Sequence, residues 1–133
     1  MGDRQAKNAL FDGFADVAKA LGNGRRVELV DVLAQGERHV EELAIEIGQS
    51  VANTSHHLQV LAAAGLVTTR RDGNRIYYQL ASHDVEQLWS VLRSVAQTHI
   101  DNLDALAADY LGNRSRLEEI SRDELARRLN DGT

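Results

Sequence analysis

The chain has 133 residues, enough for one domain with a buried core and some surface left over for a partner. It contains no cysteine, which excludes disulfides, thiolate metal sites, cysteine nucleophiles and thiol redox switches. The chain has no apolar run of about 18 residues and no signal-peptide core near its N-terminus, so we expect a cytoplasmic protein with no membrane partner.

The charge of the chain is unevenly distributed. Its net charge of −5 does not favour a simple basic nucleic-acid binder. Residues 49–81, however, carry three arginines and one aspartate, whereas the segments on either side are acidic. Fields of exposed charges are screened beyond about 8–10 Å, so an acidic protein with a local basic patch can still bind phosphate.

The first third of the chain predicts three helices. Apolar residues recur at helical spacing over residues 5–21, 25–34 and 40–47. Asn23 can cap the second helix, and Gly48 can turn the chain after the third. The apolar side of the first helix includes Phe14, with Phe11 beside it, along with Leu10, Val17, Ala18 and Leu21.

Residues 51–64 predict a short helix suited to the edges of DNA bases. Ser50 is a good N-cap, and Gly65 stands where a left-handed residue would end the helix. Thr54, Leu58 and Leu61 form one inward stripe. The outer face has no charged residue, and its small polar groups can match base edges, although a polar surface helix that touches nothing fits the pattern too. The candidate DNA contacts here are Ser50, Asn53, Ser55, His56 and Gln59.

Residues 66–81 predict a β-hairpin, which we call the wing. Two β-rich runs are joined by Asp72-Gly73-Asn74, and Gly and Asn tolerate the positive φ of a tight turn. Arg70, Arg71 and Arg75 cluster near its tip. Directly after a helix-turn-helix pattern, such arginines can contact phosphate or the minor groove, while the alternative is an exposed edge protected by charge.

Residues 84–111 predict a long amphipathic helix, which Gly112 would end. Its apolar stripe exceeds what a small winged domain can cover, so we expect it to form a dimer seam together with the first helix. We therefore predict a domain over residues 1–112 and a tail over 113–133 with a short helix starting at a capping box, Ser121–Glu124. The predicted seam residues are Phe11, Phe14, Leu88, Leu92, Val95, His99, Ile100 and Leu103.

Several motifs of the chain occur together and in the same order in one known family. They are Leu21–Arg26, Ser55–Leu61 with Ala64–Val67, Arg70–Gly73 and Tyr77–Leu80. Between Phe11 and Tyr110 the chain therefore resembles ArsR-type winged helix-turn-helix repressors. The resemblance implies a mainly α fold with a small β-hairpin, long terminal helices in a dimer seam, and a homodimer that binds an inverted repeat in double-stranded DNA near a promoter and represses transcription. The chain differs at Val51, where a polar residue often opens the recognition helix, and at Thr54, where an aliphatic residue is usual.

Many members of that family release DNA when they bind a metal, arsenite or a persulfide. The thiolate sites cannot form, because the expected segment of the third helix is His39-Val40-Glu41-Glu42. The other common site, on the last helix, falls on Glu86, Leu88, His99 and Asn102, and two of these four positions carry no usual ligand. We expect no metal and no cofactor, and an effector that is an unknown small molecule or protein.

The positions of the histidines can be explained by packing or solvent exposure, without a bound metal. We expect His99 to be packed in the apolar stripe and His39 to lie on a solvated face. Adjacent helix residues point about 100° apart, so His56 and His57 are poor co-ligands. His56 is expected to face DNA and His57 to lean toward the core.

The tail carries a second resemblance. Leu117–Leu125 is similar to the lead-in of a rhodanese (sulfurtransferase) domain, which some relatives carry behind the repressor module; the strand and the catalytic cysteine of such a domain are not in this sequence. Two other functions therefore stand beside the repressor: a protein-interaction module without DNA binding, and the regulatory half of a sulfurtransferase fusion. We expect no enzyme activity and no catalytic residue in this chain.

Overall fold

The computed structural model describes the backbone of residues 2–130, with side chains to residue 113 and at 116, 120, 122–124, 126 and 127. The chain divides after Ser90 into two compact units. No helix among the described residues is long and apolar enough to cross a membrane. The helices are α1 (Gly2–Ala20), α2 (Gly24–Ala34), α3 (Val40–Ile47), α4 (Val51–Ala63) and α5 (His83–Asn130), and the strands are β1 (Arg38–His39), β2 (Val67–Asp72) and β3 (Arg75–Leu80).

The core of the first unit is built on α2, α3 and α4. Leu29, Leu43, Leu58 and Leu61 have no exposed surface. Each such leucine contributes about 1.5–3 kcal/mol relative to an exposed one. In the helical periodicity of residues 25–34, Leu29 lies at the flank of the inward stripe that Val27, Val30 and Leu33 form. It is fully buried because α2 is covered on more than one side, including the start of α5, where the indole Nε1 of Trp89 donates to Asp31 Oδ1 at 3.1 Å.

Local capping defines the helix-turn-helix as the sequence predicted. Asn23 Oδ1 accepts from the backbone N–H groups of Arg25 (2.9 Å) and Arg26 (3.2 Å). Gly48 has φ 65°, a left-handed conformation that glycine adopts without steric cost, and it turns the chain from α3 toward α4. At the end of α4, Gly65 (φ 77°) donates to Ala62 O and Leu66 donates to Leu61 O, both at 3.0 Å, which is the Schellman pattern.

The wing is part of a three-stranded sheet rather than an isolated hairpin. Strand β3 pairs antiparallel with β2 along its whole length and with β1 on its other edge, so the order is β1-β3-β2. The sequence did not predict β1, because a strand of two residues shows no alternation. The consequence is that the connection between α2 and α3 fastens the wing to the helical core.

Helix α5 differs from the prediction at its C-terminal end. Gly112 lies inside α5, and the residues expected to form a separate short helix continue the same one. A single helical glycine costs only about 1 kcal/mol relative to alanine, and the segments on both sides are rich in strong helix formers. The expected capping box at Ser121–Glu124 therefore starts no helix, and the side chain of Ser121 lies outside the described residues. The division into residues 1–112 and 113–133 stays a prediction.

Candidate DNA-binding surface

Helix α4 presents two chemically different faces. Thr54, Leu58 and Leu61 are fully buried, as the sequence predicted. Asn53, His56 and Gln59 are exposed on the other side, and Ser55 is half-buried beside them. Burial of one stripe fixes the rotation of the helix about its axis. The polar side chains therefore form a continuous outward face without a formal charge.

Ser50 has a structural role at the start of this face. Its hydroxyl accepts from the backbone N–H of Asn53 at 3.0 Å, and its carbonyl accepts from the hydroxyl of Thr54 at 2.8 Å. Both interactions hold the first turn of α4. The hydroxyl proton of Ser50 is still available as a donor to an outside acceptor.

The two adjacent histidines have different environments. The ring centroids of His56 and His57 lie 6.1 Å apart, with His56 exposed and His57 half-buried. Burial, followed by the nearby charges of Arg26, His56 and Arg25, lowers the pKa of His57. Nδ1 of His57 is buried without a hydrogen-bond partner among the described residues. Burial thus disfavours the charged form of His57, and His56 faces outward.

The three wing arginines are not equivalent. The guanidinium of Arg70 forms an ion pair with Glu37 and lies over the Tyr77 ring, 4.8 Å from its centroid. Arg75 Nη1 lies 3.3 Å from Nε2 of His39. Arg71 is exposed, and no ion pair or hydrogen bond of its side chain is found within the described part of the chain. Arg70 and Arg75 therefore have partners on the protein, Glu37 and His39.

Sequence reasoning missed Glu37 and Tyr77 as neighbours of the wing arginines. Glu37 lies 33 residues before Arg70 and belongs to no predicted element. Tyr77 is opposite Arg70 only in the β2–β3 register. The hairpin turn alone could have indicated the second pair, since a turn at Gly73-Asn74 sets that register.

The predicted seam residues are largely exposed within a single chain. On α1, Phe11 and Phe14 are 57% and 59% exposed and contact each other edge to face, with ring centroids 5.5 Å apart. The C-terminal end of α1 reaches the described core through Val17 and Ala20, and Leu21, directly after the helix, packs on the core as well. On α5, Leu92 is half-buried, and the exposed members are Leu88, Val95, His99, Ile100 and Leu103.

The histidines considered as metal ligands belong to different units of the chain, His39 to the first and His99 to the second. His39 does not lie on a solvated face as expected: its side chain is 12% exposed, and Nδ1 lies 2.9 Å from Glu41 Oε2. It is covered because β1 brings it beside β3, against the Tyr77 ring. His99 is exposed in the single chain. Among the described residues, no group of three or more His, Asp or Glu side chains is arranged to hold a metal ion.

Comparison with known proteins identifies the family of this fold. Residues 23–69 match the model of the bacterial regulatory protein, arsR family. The nodulation protein NolR of Rhizobium meliloti is 33% identical over 101 residues, which cover 76% of this chain and 80% of that protein. The chain belongs to the ArsR family. Its fold is the winged helix-turn-helix of that family, with α3 and α4 as the helix-turn-helix and β2–β3 as the wing.

Two further relatives of this ArsR-family chain show how far the likeness extends. The HTH-type transcriptional regulator Rv0324 of Mycobacterium tuberculosis is 44% identical over 131 residues, covering 98% of this chain. The chain spans only 57% of the length of that regulator. A solution structure of the homodimeric winged helix-turn-helix DNA-binding domain (fragment 1–100) of Mb0332 from Mycobacterium bovis has a TM-score of 0.67 and 47% identity. It covers 70% of this chain, and 86% of that fragment is matched.

Proposed function

We propose that this chain is a dimeric transcriptional repressor that binds double-stranded DNA at a specific sequence. The observation that carries the proposal is the pair of faces on α4. One face is fully buried, the other is exposed, polar and uncharged, and the arginine-bearing wing follows directly. A helix held by a buried stripe presents its outer side chains in a fixed geometry, as base recognition in the major groove requires.

Within this proposal the two elements have different tasks. Asn53, Ser55, His56 and Gln59 contact base edges and determine the sequence preference, with Ser50 capping the helix beside the backbone. The wing contacts the phosphate backbone or the minor groove, which contributes affinity and salt dependence. The proposal gives the chain no catalytic role.

The dimer would explain the exposed apolar residues of α1 and α5. Each helix carries large apolar side chains that a protomer leaves in water, and a second copy can cover them. A twofold dimer places two recognition helices about 34–36 Å apart, which matches an inverted repeat in successive major grooves. The Mb0332 relative is described as homodimeric, which supports the same arrangement here. A DNA-binding protein of this bacterial family would act in the cytoplasm.

The signal that releases DNA would not act on a thiol of this chain, because the chain has no cysteine. The remaining sources of a signal are a small molecule, a protein partner, or a part of a longer protein beyond this chain. The 57% coverage of Rv0324 gives the last of these a specific basis. Whether such a part is a sulfurtransferase domain stays a prediction.

Selection of bound duplexes from random DNA, followed by a fluorescence titration of the enriched duplex at several salt concentrations, tests the proposal. We expect one inverted repeat to be enriched and the association constant to fall steeply with salt. The double variant His56→Ala/Gln59→Ala should lose the enrichment but keep salt-dependent binding. Absence of any DNA binding by the native chain would leave the protein-interaction module as the better explanation.

A further inference from the structure

A row of three side chains crosses the sheet of the wing. His39 of β1, Tyr77 of β3 and Arg70 of β2 are successive cross-strand partners. The His39 and Tyr77 rings meet edge to face, with centroids 5.7 Å apart. The Arg70 guanidinium lies over the Tyr77 ring, 4.8 Å from its centroid. Such cross-strand neighbours on one face stabilise the pairing of the strands.

Glu37 closes this row at the Arg70 end. Arg70 Nε donates to Glu37 Oε2 at 3.3 Å, and Arg70 Nη2 donates to Glu37 Oε1, so both carboxylate oxygens are used. Arg70 Nη1 also lies 3.8 Å from Asp72 Oδ2. The pairing raises the pKa of Arg70 and lowers that of Glu37. A carboxylate from the α2–β1 connection thus holds the strand of the wing farthest from it.

Arg71 has the opposite placement. Successive residues of a strand point to opposite faces, so Arg71 leaves the face on which Arg70, Tyr77 and His39 meet. Its cross-strand partner is Ile76. Its exposed guanidinium keeps all five donors, whereas that of Arg70 would have to give up a two-point carboxylate contact and an aromatic face to reach a phosphate.

We propose that Glu37 and Tyr77 are positioning residues that hold Arg70 on the protein, so that Arg70 orients the wing and Arg71 supplies its phosphate contact. This inference rests on the proposed DNA binding. It separates two of the three wing arginines by role: Arg71 acts directly on DNA, and Arg70 acts through the geometry of the hairpin. Glu37, an acidic residue in a DNA-binding surface, thereby assists binding instead of opposing it.

The first arm of the test measures affinity against salt for a labelled duplex enriched from random DNA. Arg71→Gln should reduce the slope of the logarithmic plot by about one, the loss of one phosphate contact. Arg70→Gln should weaken binding while leaving that slope unchanged. Glu37→Gln should likewise weaken binding without changing the slope, and Glu46→Gln, at an exposed residue of α3, is its control for removing one negative charge. A slope that falls by about one in Arg70→Gln, or stays unchanged in Arg71→Gln, overturns the assignment.

The second arm needs no DNA. Amide hydrogen exchange of β2 and β3 should be faster in Glu37→Gln and in Arg70→Gln than in the native chain. The double variant should exchange no faster than Arg70→Gln alone, because the loss of Arg70 already removes its contact with Glu37. Glu46→Gln should match the native protein. Native exchange rates in Glu37→Gln would refute the positioning role, even if the native chain failed to bind DNA and the proposed function fell.

Discussion

The hydroxyl of Thr54 donates a hydrogen bond of 2.8 Å to the backbone carbonyl of Ser50, the residue that caps the recognition helix. Thr54 is fully buried, and this bond satisfies its donor one turn back along the same helix. A polar residue can therefore occupy a core position where the ArsR resemblance leads one to expect an aliphatic side chain. The β-branched shape fills the core while the hydroxyl stays within its own helix.

This arrangement predicts a small effect for Thr54→Val and a larger one for Thr54→Ala. Valine keeps the shape and removes a donor whose acceptor, Ser50 O, still accepts from the backbone N–H of Thr54 at 3.0 Å. We expect Thr54→Val to change the free energy of unfolding by less than about 1 kcal/mol and Thr54→Ala to cost about 1–2 kcal/mol more. Urea denaturation followed by the fluorescence of the single tryptophan measures both. A larger loss in the valine variant would contradict the local account of this hydroxyl.

The contact between Trp89 and Asp31 fastens the start of α5 to α2. The indole Nε1 donates to Asp31 Oδ1 at 3.1 Å in a part-buried setting. Trp89→Phe removes the donor and part of the ring, so we expect a loss of about 1–3 kcal/mol, measured by circular dichroism during denaturation. Asp31→Asn keeps an acceptor oxygen at the same place and should cost less than Asp31→Ala. Equal losses in these two variants would show that the hydrogen bond contributes little.

Much of this fold follows from local rules in the sequence. The caps at Asn23 and Ser50, the left-handed Gly48 and Gly65, and the buried stripe of α4 each depend on a few neighbouring residues, and the structure confirms them. The order of these helices and of the hairpin after them was enough to predict a winged helix-turn-helix.

The features that the sequence did not predict depend on contacts between residues that are far apart in the chain. Strand β1 forms because Arg38 and His39 pair with β3. The ion pair of Glu37 with Arg70 depends on the same pairing, because Glu37 directly precedes β1. The same distance explains the error at His39, which looks solvated until Tyr77 covers it. Gly112 failed as a helix stop for the opposite reason: a glycine signal is weak when good helix formers flank it.

His57 predicts a loss of stability toward acid pH. Burial lowers the pKa of His57 below its ordinary value of 6.5 in the folded state, while the unfolded chain takes up a proton near that value. As pH falls from 6.5 toward the lowered pKa, the unfolded state binds more protons and the free energy of unfolding decreases. Urea midpoints at neutral pH and at about pH 5.5 should differ less in His57→Gln than in the native chain. His83→Gln, at an exposed histidine at the start of α5, is the control and should keep the native pH dependence.

The exposed face of α4 predicts an effect on DNA sequence preference. Gln59→Ala should weaken binding to the enriched duplex by about 1–3 kcal/mol and relax the preference at one base pair. The slope of affinity against salt should not change, because no phosphate contact is lost. Gln87→Ala, at an exposed glutamine of α5, is a matched control. An unchanged preference in the alanine variants of Ser55, His56 and Gln59 alike would show that this face does not contact bases.

The apolar stripe of α5 predicts a dimer that one charge can split. Leu103 is 49% exposed in a single chain, so a glutamate there disturbs no protomer core but would be buried without a partner charge in the seam. We expect Leu103→Glu to sediment as a monomer at micromolar concentration while its helical circular dichroism is retained. Ser94→Glu places the same charge on the opposite side of the helix, about 180° from Leu103 at 100° per residue, and should remain a dimer. Because one protomer reaches a single half-site, Leu103→Glu should also bind the full inverted repeat no more tightly than a half-site. A native chain that sediments as a monomer, or a Leu103→Glu variant that remains a dimer, would place the interface elsewhere.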